Sequence, residues 1–202
     1  MKSKKILIAA TIGLIGLSLP SITYAATDTN AVVEYTDGGI TFNPDGNVDN
    51  QIPGNLDFGS MKIQTTEKEE LPAKTGGETT TGAVSVSDNR ANAEGWRVKV
   101  NQQAQFQNSN SELLENAVLS ISTGTIANNL GNTLSSEGKE NQKHQLLLNQ
   151  DLVVLEAAVQ EGLGETSLPL TKFELEIPAN SKKSATQYST TLNWVFSESP
   201  EG

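Results

Sequence analysis

The stretch Tyr188-Ser189-Thr190-Thr191-Leu192-Asn193-Trp194-Val195-Phe196 keeps a two-residue rhythm, with Tyr188, Thr190, Leu192, Trp194 and Phe196 at alternate positions. An extended chain turns successive side chains to opposite faces, so these five share one side of a strand. A buried helical stripe would need spacings of three and four instead. The segment therefore reads as an antiparallel strand with one face in a core. Phe173-Glu174-Leu175-Glu176-Ile177, Trp96-Arg97-Val98-Lys99-Val100 and Ala83-Val84-Ser85-Val86-Ser87 alternate in the same way.

Weaker strand patterns cover residues 32–35, 39–42, 56–58, 62–65, 118–122, 145–148 and 152–157. Asn43-Pro44-Asp45-Gly46 and Asp37-Gly38-Gly39 supply turn chemistry between them. Residues 112–118 suit a turn or two of helix, and little else reads as helical. Residues 66–82, rich in Thr, Glu and Gly, and 131–143, rich in Ser, Asn and Glu, read as surface loops. Length and polarity alone do not make the second a binding surface. The fold class expected is all-β, a single-domain antiparallel β-sandwich of roughly ten short strands after a cleaved signal peptide.

The signal peptide is read from the first 25 residues. Lys2, Lys4 and Lys5 make a basic start, residues 6–19 an apolar run, and Thr23-Tyr24-Ala25 a cleavage site between Ala25 and Ala26. The run is shorter than the roughly 18 residues a membrane span needs, and Thr11, Gly13, Gly16 and Ser18 dilute it. No cysteine exists for lipid attachment, disulfides, thiol catalysis or a Cys-based zinc site. The expected organisation is residues 1–25 as signal, 26–55 as N-terminal strands of the mature domain, and 56–202 as its core.

Without the three signal lysines, 11 basic residues face 24 acidic ones, a net charge of −13. Such a chain has no electrostatic footprint for nucleic acid and no attraction to an anionic membrane.

Several motifs dissolve on inspection. Leu71-Pro72-Ala73-Lys74-Thr75-Gly76 approaches a sortase signal but has one residue too many between Pro72 and Thr75. Asp45-Gly46-Asn47-Val48-Asp49 opens like a calcium loop, yet Asn50 and Leu56 stand where an EF-hand needs Gly and Glu. The one histidine, His144, falls in a polar loop as a solvated side chain. Glu69-Glu70 and the Glu174/Glu176 pair have the residue type of a glycosidase but lie on loop or solvent faces. No cofactor, metal site or catalytic group is expected.

Trp96 and Trp194 each precede another apolar strand residue by two positions, Val98 and Phe196. They fit either core packing or a partly exposed platform that stacks on sugar rings or a partner protein. Around them the chain resembles the WxL domain family. Asp88-Asn89-Arg90, a Gly95 turn and Trp96-Arg97-Val98 resemble that family's first motif. Tyr188, Leu192-Asn193-Trp194-Val195-Phe196 and Pro200 resemble its second. Leu56-Asp57-Phe58-Gly59 and Ile177-Pro178-Ala179 match two further segments. Val98 and Phe196 stand where the family has leucines, which keeps the strand face apolar. The resemblance implies a secreted Gram-positive surface protein that associates non-covalently with peptidoglycan. It also implies a membrane-anchored interacting protein as partner, in some cases adhesion to host extracellular matrix, and the two tryptophan motifs close in space. On this basis the expected ligand-facing residues are Trp96, Val98, Tyr188, Leu192, Trp194 and Phe196.

Overall fold

A computed structural model describes residues 33, 35–42, 51–131, 134 and 139–198. The signal segment with Ala25 and Ala26, and the Asx-rich turn at 43–50, lie outside the described residues. From Thr36 onward the chain forms one compact unit.

The described strands are all antiparallel in their pairing: β1 (Ile40–Phe42), β2 (Glu69–Pro72), β3 (Lys74–Thr75), β4 (Glu78–Thr79), β5 (Gly82–Asp88), β6 (Trp96–Gln102), β7 (Val118–Thr123), β8 (Ala127–Asn128), β9 (Lys143–Gln145), β10 (Leu152–Ala157), β11 (Gly164–Ile177) and β12 (Leu192–Ser197). One seven-stranded sheet runs β1-β5-β11-β7-β9, with β2 and β8 also paired to β11. A three-stranded sheet runs β10-β6-β12, and β3-β4 forms a separate ribbon. Side chains from both larger sheets meet in one apolar cluster, including Val84, Val86, Trp96, Val98, Leu155, Leu168 and Phe173. This is the sandwich expected from the alternating strands.

β11 is the spine. Its first half pairs with β5 on one side and β8 on the other, and its second half with β2 and β7. Thr166, Leu168 and Leu170 face inward, then Phe173, Leu175 and Ile177 do so, one position out of phase. A register shift between Leu170 and Lys172 absorbs the change, as a bulge does by adding one residue to one strand. The alternation in residues 173–177 is thus the second half of a 14-residue strand.

Several expectations need correction. Residues 66–82 are not simply a loop, because β2 pairs with the end of β11 and β3 and β4 form a hairpin around Gly76-Gly77. Both glycines have positive φ, 61° and 94°, which a tight two-residue turn of this kind requires. The sortase-like string is therefore the β2–β3 corner, with Ala73 fully buried. Residues 56–58 and 62–65 form no strand, nor do the described members of 32–35, Val33 and Tyr35. In the first two segments Asp57 O and Thr65 O each accept a single backbone hydrogen bond, from Lys74 and Asn180, instead of joining a ladder. Strand β9 lies at Lys143–Gln145, ahead of the expected 145–148, and carries His144, whose Nε2 is 3.0 Å from Lys139 O. Residues 112–118 hold a tight turn and no helix, with Asn116 at a φ of 58°. Of residues 26–55, only Ile40–Phe42 is a described strand.

Glu174 is also unlike its expected solvent-facing carboxylate. Lodged between β2 and β7, its side chain is only 9% exposed and ion-pairs with Lys143 and Lys172. The Lys143 ammonium first, then that of Lys172, holds its carboxyl below the ordinary range. A carboxylate so neutralised acts as a cross-strand staple between β11 and β9.

Candidate functional site

The two tryptophan motifs meet on one sheet. Strand β12 pairs with β6 so that Trp194 lies opposite Val100, Phe196 opposite Val98 and Leu192 opposite Gln102. Residues directly opposite in an antiparallel pair share a face, so all of them point between the two sheets. Their environments differ because β6 is central and β12 is an edge. Trp96 and Val98 are fully buried, and the Trp96 indole donates to Gly162 O at 3.3 Å. Tyr188, Leu192, Trp194 and Phe196 are half-buried. Phe196 stacks on Phe42 of β1, with centroids 5.4 Å apart and planes within 3°.

The open edge beside β12 is a groove of about 1570 Å³. Tyr188, Leu192 and Trp194 line it, together with Phe58, Leu71 and Phe106. One wall is the irregular segment 52–63 and the other is 184–192. The first wall is shaped by Leu56-Asp57-Phe58-Gly59. The Asp57 carboxylate accepts the Gly59 N–H at 2.8 Å, and Gly59 takes a φ of 83°. Lys74 N–H donates to Asp57 O at 2.8 Å, fixing the turn to the β3–β4 ribbon. Phe58 is thereby set edge-on against Phe106, with centroids 6.2 Å apart. Further along, Lys183 reaches Gln64 O and the Glu69 carboxylate, both at 2.8 Å, with side chains only 9% and 12% exposed.

The second wall depends on Tyr188 and Glu112. Ser184 N–H donates to the Tyr188 hydroxyl at 3.0 Å, so the ring lines the groove while its polar end is tied down. Glu112 Oε2 accepts from Ser184 Oγ and from Asn108 Nδ2, both at 2.7 Å. The Ser184 hydroxyl first, then the Asn108 amide, favours the carboxylate and holds its pKa below the ordinary 4.5. A carboxylate depressed in this way stabilises fully above its unfolded value, and the effect is lost as pH falls through the folded one. Acidification below about pH 4.5 should therefore loosen this wall. Trp96 is out of reach of solvent, so acrylamide quenching reports Trp194. Quenching should rise on acidification in the native protein and stay level in Glu112→Gln; a flat native profile would remove Glu112 as the anchor.

Phe58 and Phe106 complete the groove, and Phe106 carries no sequence signal, since it stands alone between polar residues. The described residues contain no group of three or more acidic or histidine side chains arranged to hold a metal ion.

A two-sheet sandwich whose edge strand leaves an aromatic groove open to solvent defines a surface-recognition module. The chain belongs to the WxL domain family: the family model for the WxL domain, surface cell wall-binding, matches residues 25–200. No curated protein and no solved structure matches it. The protein is accordingly a cell-wall-binding domain of the cell surface.

Proposed function

We propose that the protein attaches non-covalently to the Gram-positive wall with peptidoglycan as its direct ligand, the groove beside β12 as its contact face, and no catalysis. One observation carries this reading: the second tryptophan motif lends Tyr188, Leu192 and Trp194 to an open groove, whereas Trp96 and Val98 of the first are sealed in the core. Half-exposed aromatic rings bordered by hydroxyls and amides suit sugar rings, whose faces are apolar and whose edges are polar. Trp96 and Val98 serve the site by holding β6, against which β12 is aligned. Phe196 serves it by closing the far end of β12 onto Phe42.

A second reading has its own support. Met61 and Ile63, on the rim, are 47% and 50% exposed. Apolar side chains in that position suit a protein, such as a membrane-anchored surface partner or a host-matrix component, with only indirect contact to the wall. Sedimentation with peptidoglycan stripped of protein and teichoic acid separates the two. The native protein should pellet, and Trp194→Ala should lower its apparent affinity about tenfold or more, as loss of a central aromatic anchor does. A native protein that stays in solution would hand the groove to the protein partner.

A further inference from the structure

The groove continues past Tyr188 and Leu192 into a second opening. Strands β6 and β12 are paired up to Gln102 and Leu192, then part, and the chains meet again at the bridge between Gln107 and Ser189. Residues 103–106 on one side thus face only 190 and 191 on the other. The mismatch opens a cavity of about 240 Å³, and Ser189, Thr190 and Thr191 line both it and the groove. At ~30 Å³ per molecule that is the space of about eight waters. Irregular pairing of this kind is a recurrent way of aiming side chains at a ligand.

Every side chain around the opening is uncharged, in a chain where 19% of residues are charged. Some of the polar groups are engaged in keeping it open. Thr190 Oγ1 donates to Ala104 O at 2.6 Å, and the buried Gln102 amide donates to the same oxygen at 3.1 Å. Gln105 donates to Ala117 O at 3.0 Å and accepts from Phe106 N–H at 2.8 Å. Gln103 and Gln107 are different: they also line the opening, are exposed, and have no side-chain hydrogen bond among the described residues. Each presents one carbonyl and one NH₂, a donor–acceptor pair that complements an acetamide or vicinal hydroxyls.

We propose that this opening is a neutral polar subsite, in which Gln103 and Gln107 hydrogen-bond an N-acetylated sugar unit adjacent to one held against Tyr188 and Trp194. The inference rests on the peptidoglycan reading and narrows it to the glycan strand. Peptide stems and teichoic acid carry ionised groups, and these find no counter-charge around Gln103 and Gln107. The acidic chain repels the phosphates further.

The test is sedimentation of the native protein, Gln103→Ala/Gln107→Ala and Trp194→Ala with stripped peptidoglycan, with soluble N-acetylglucosamine oligomer or purified teichoic acid as competitor. Both glutamines are exposed and outside the core, so the double variant should fold. Its apparent affinity should fall about tenfold, the loss of two hydrogen bonds. The neutral oligomer should displace the native protein and teichoic acid should not. If Trp194→Ala weakens binding while the double variant matches the native protein, the subsite is overturned and the wall reading stands. Displacement by teichoic acid alone would also overturn the subsite. If the native protein never pellets, both readings fall together.

Discussion

Trp96→Ala is expected to cost about 3–5 kcal/mol of folding stability, whereas Trp194→Ala should cost under about 2 kcal/mol. The two residues occupy corresponding places in two copies of one motif, so sequence alone gives no reason for a difference. Their surroundings do. Trp96 has no exposed surface and sits opposite Ala157 on β10, a small residue that leaves room for the indole. Gly162 closes over it with a φ of 76°, and a Cβ there would come 2.5 Å from Ala157 Cβ and 2.7 Å from Trp96 Nε1. Indole, alanine and bare glycine therefore form one fitted unit, and removing the indole leaves a cavity its neighbours cannot fill. Domains of this size are stable by about 5–15 kcal/mol, so the loss is a large share of the total. Urea unfolding followed by circular dichroism would show it as a fall in midpoint. Equal midpoints for the two alanine variants would mean that the edge strand is as essential to the core as the central one.

The same contrast marks what a sequence can disclose. A period of two reports that one face of a strand meets apolar surroundings, and on that basis β5, β6, β12 and the second half of β11 were legible. It does not report whether the strand is central or an edge, because that depends on pairing with residues far away in the chain. Trp96 and Trp194 consequently looked alike. Strand β2 escaped for a related reason: Glu69-Glu70-Leu71-Pro72 has poor strand propensity, and its extended form is held by backbone pairing with Glu174–Ile177 and by the Glu69–Lys183 ion pair. Conversely, residues 56–58 have strand-like side chains, but Asp57 diverts the backbone into a turn to aim Phe58 at Phe106. Of the residues that line the groove, alternation put Tyr188, Leu192 and Trp194 on one strand face, and Phe58 lay in a family-like segment that nothing in the chain placed beside them. Phe106 and the opening between Gln102 and Gln107 became visible only once the chain was folded.

The largest polar effect is expected at Arg90. Asp88 ends β5 with its carboxylate fully buried, and Arg90 grips it in a fork, Nε at 2.8 Å from one oxygen and Nη2 at 2.7 Å from the other. The same guanidinium donates to Gly95 O at 3.0 Å, one residue before β6, and to Glu198 O at 3.2 Å, one residue after β12. A single side chain thus ties the end of β5, the start of β6 and the end of β12. The Asp88 hydrogen bonds raise the pKa of Arg90 further, so it stays charged at any working pH. Arg90→Ala would leave the Asp88 carboxylate buried without a counter-ion and should cost about 3–5 kcal/mol. Arg90→Lys keeps the charge but offers neither the planar fork nor the reach to two carbonyls, so it should recover only part of the loss. Asp88→Ala/Arg90→Ala should be less destabilised than the sum of the single variants, since no lone charge remains in the double variant. Denaturant midpoints for the native protein, Arg90→Ala, Arg90→Lys, Asp88→Ala and the double variant decide the matter. If Arg90→Ala shifts the midpoint no more than an ordinary surface substitution, the fork is ornamental and β12 is held by its pairing with β6 and the Phe196–Phe42 stack. If the loss is large, the Asp-x-Arg element is what fixes the far end of the groove-bearing strand, and wall retention should fall in Arg90→Ala even where the protein remains folded.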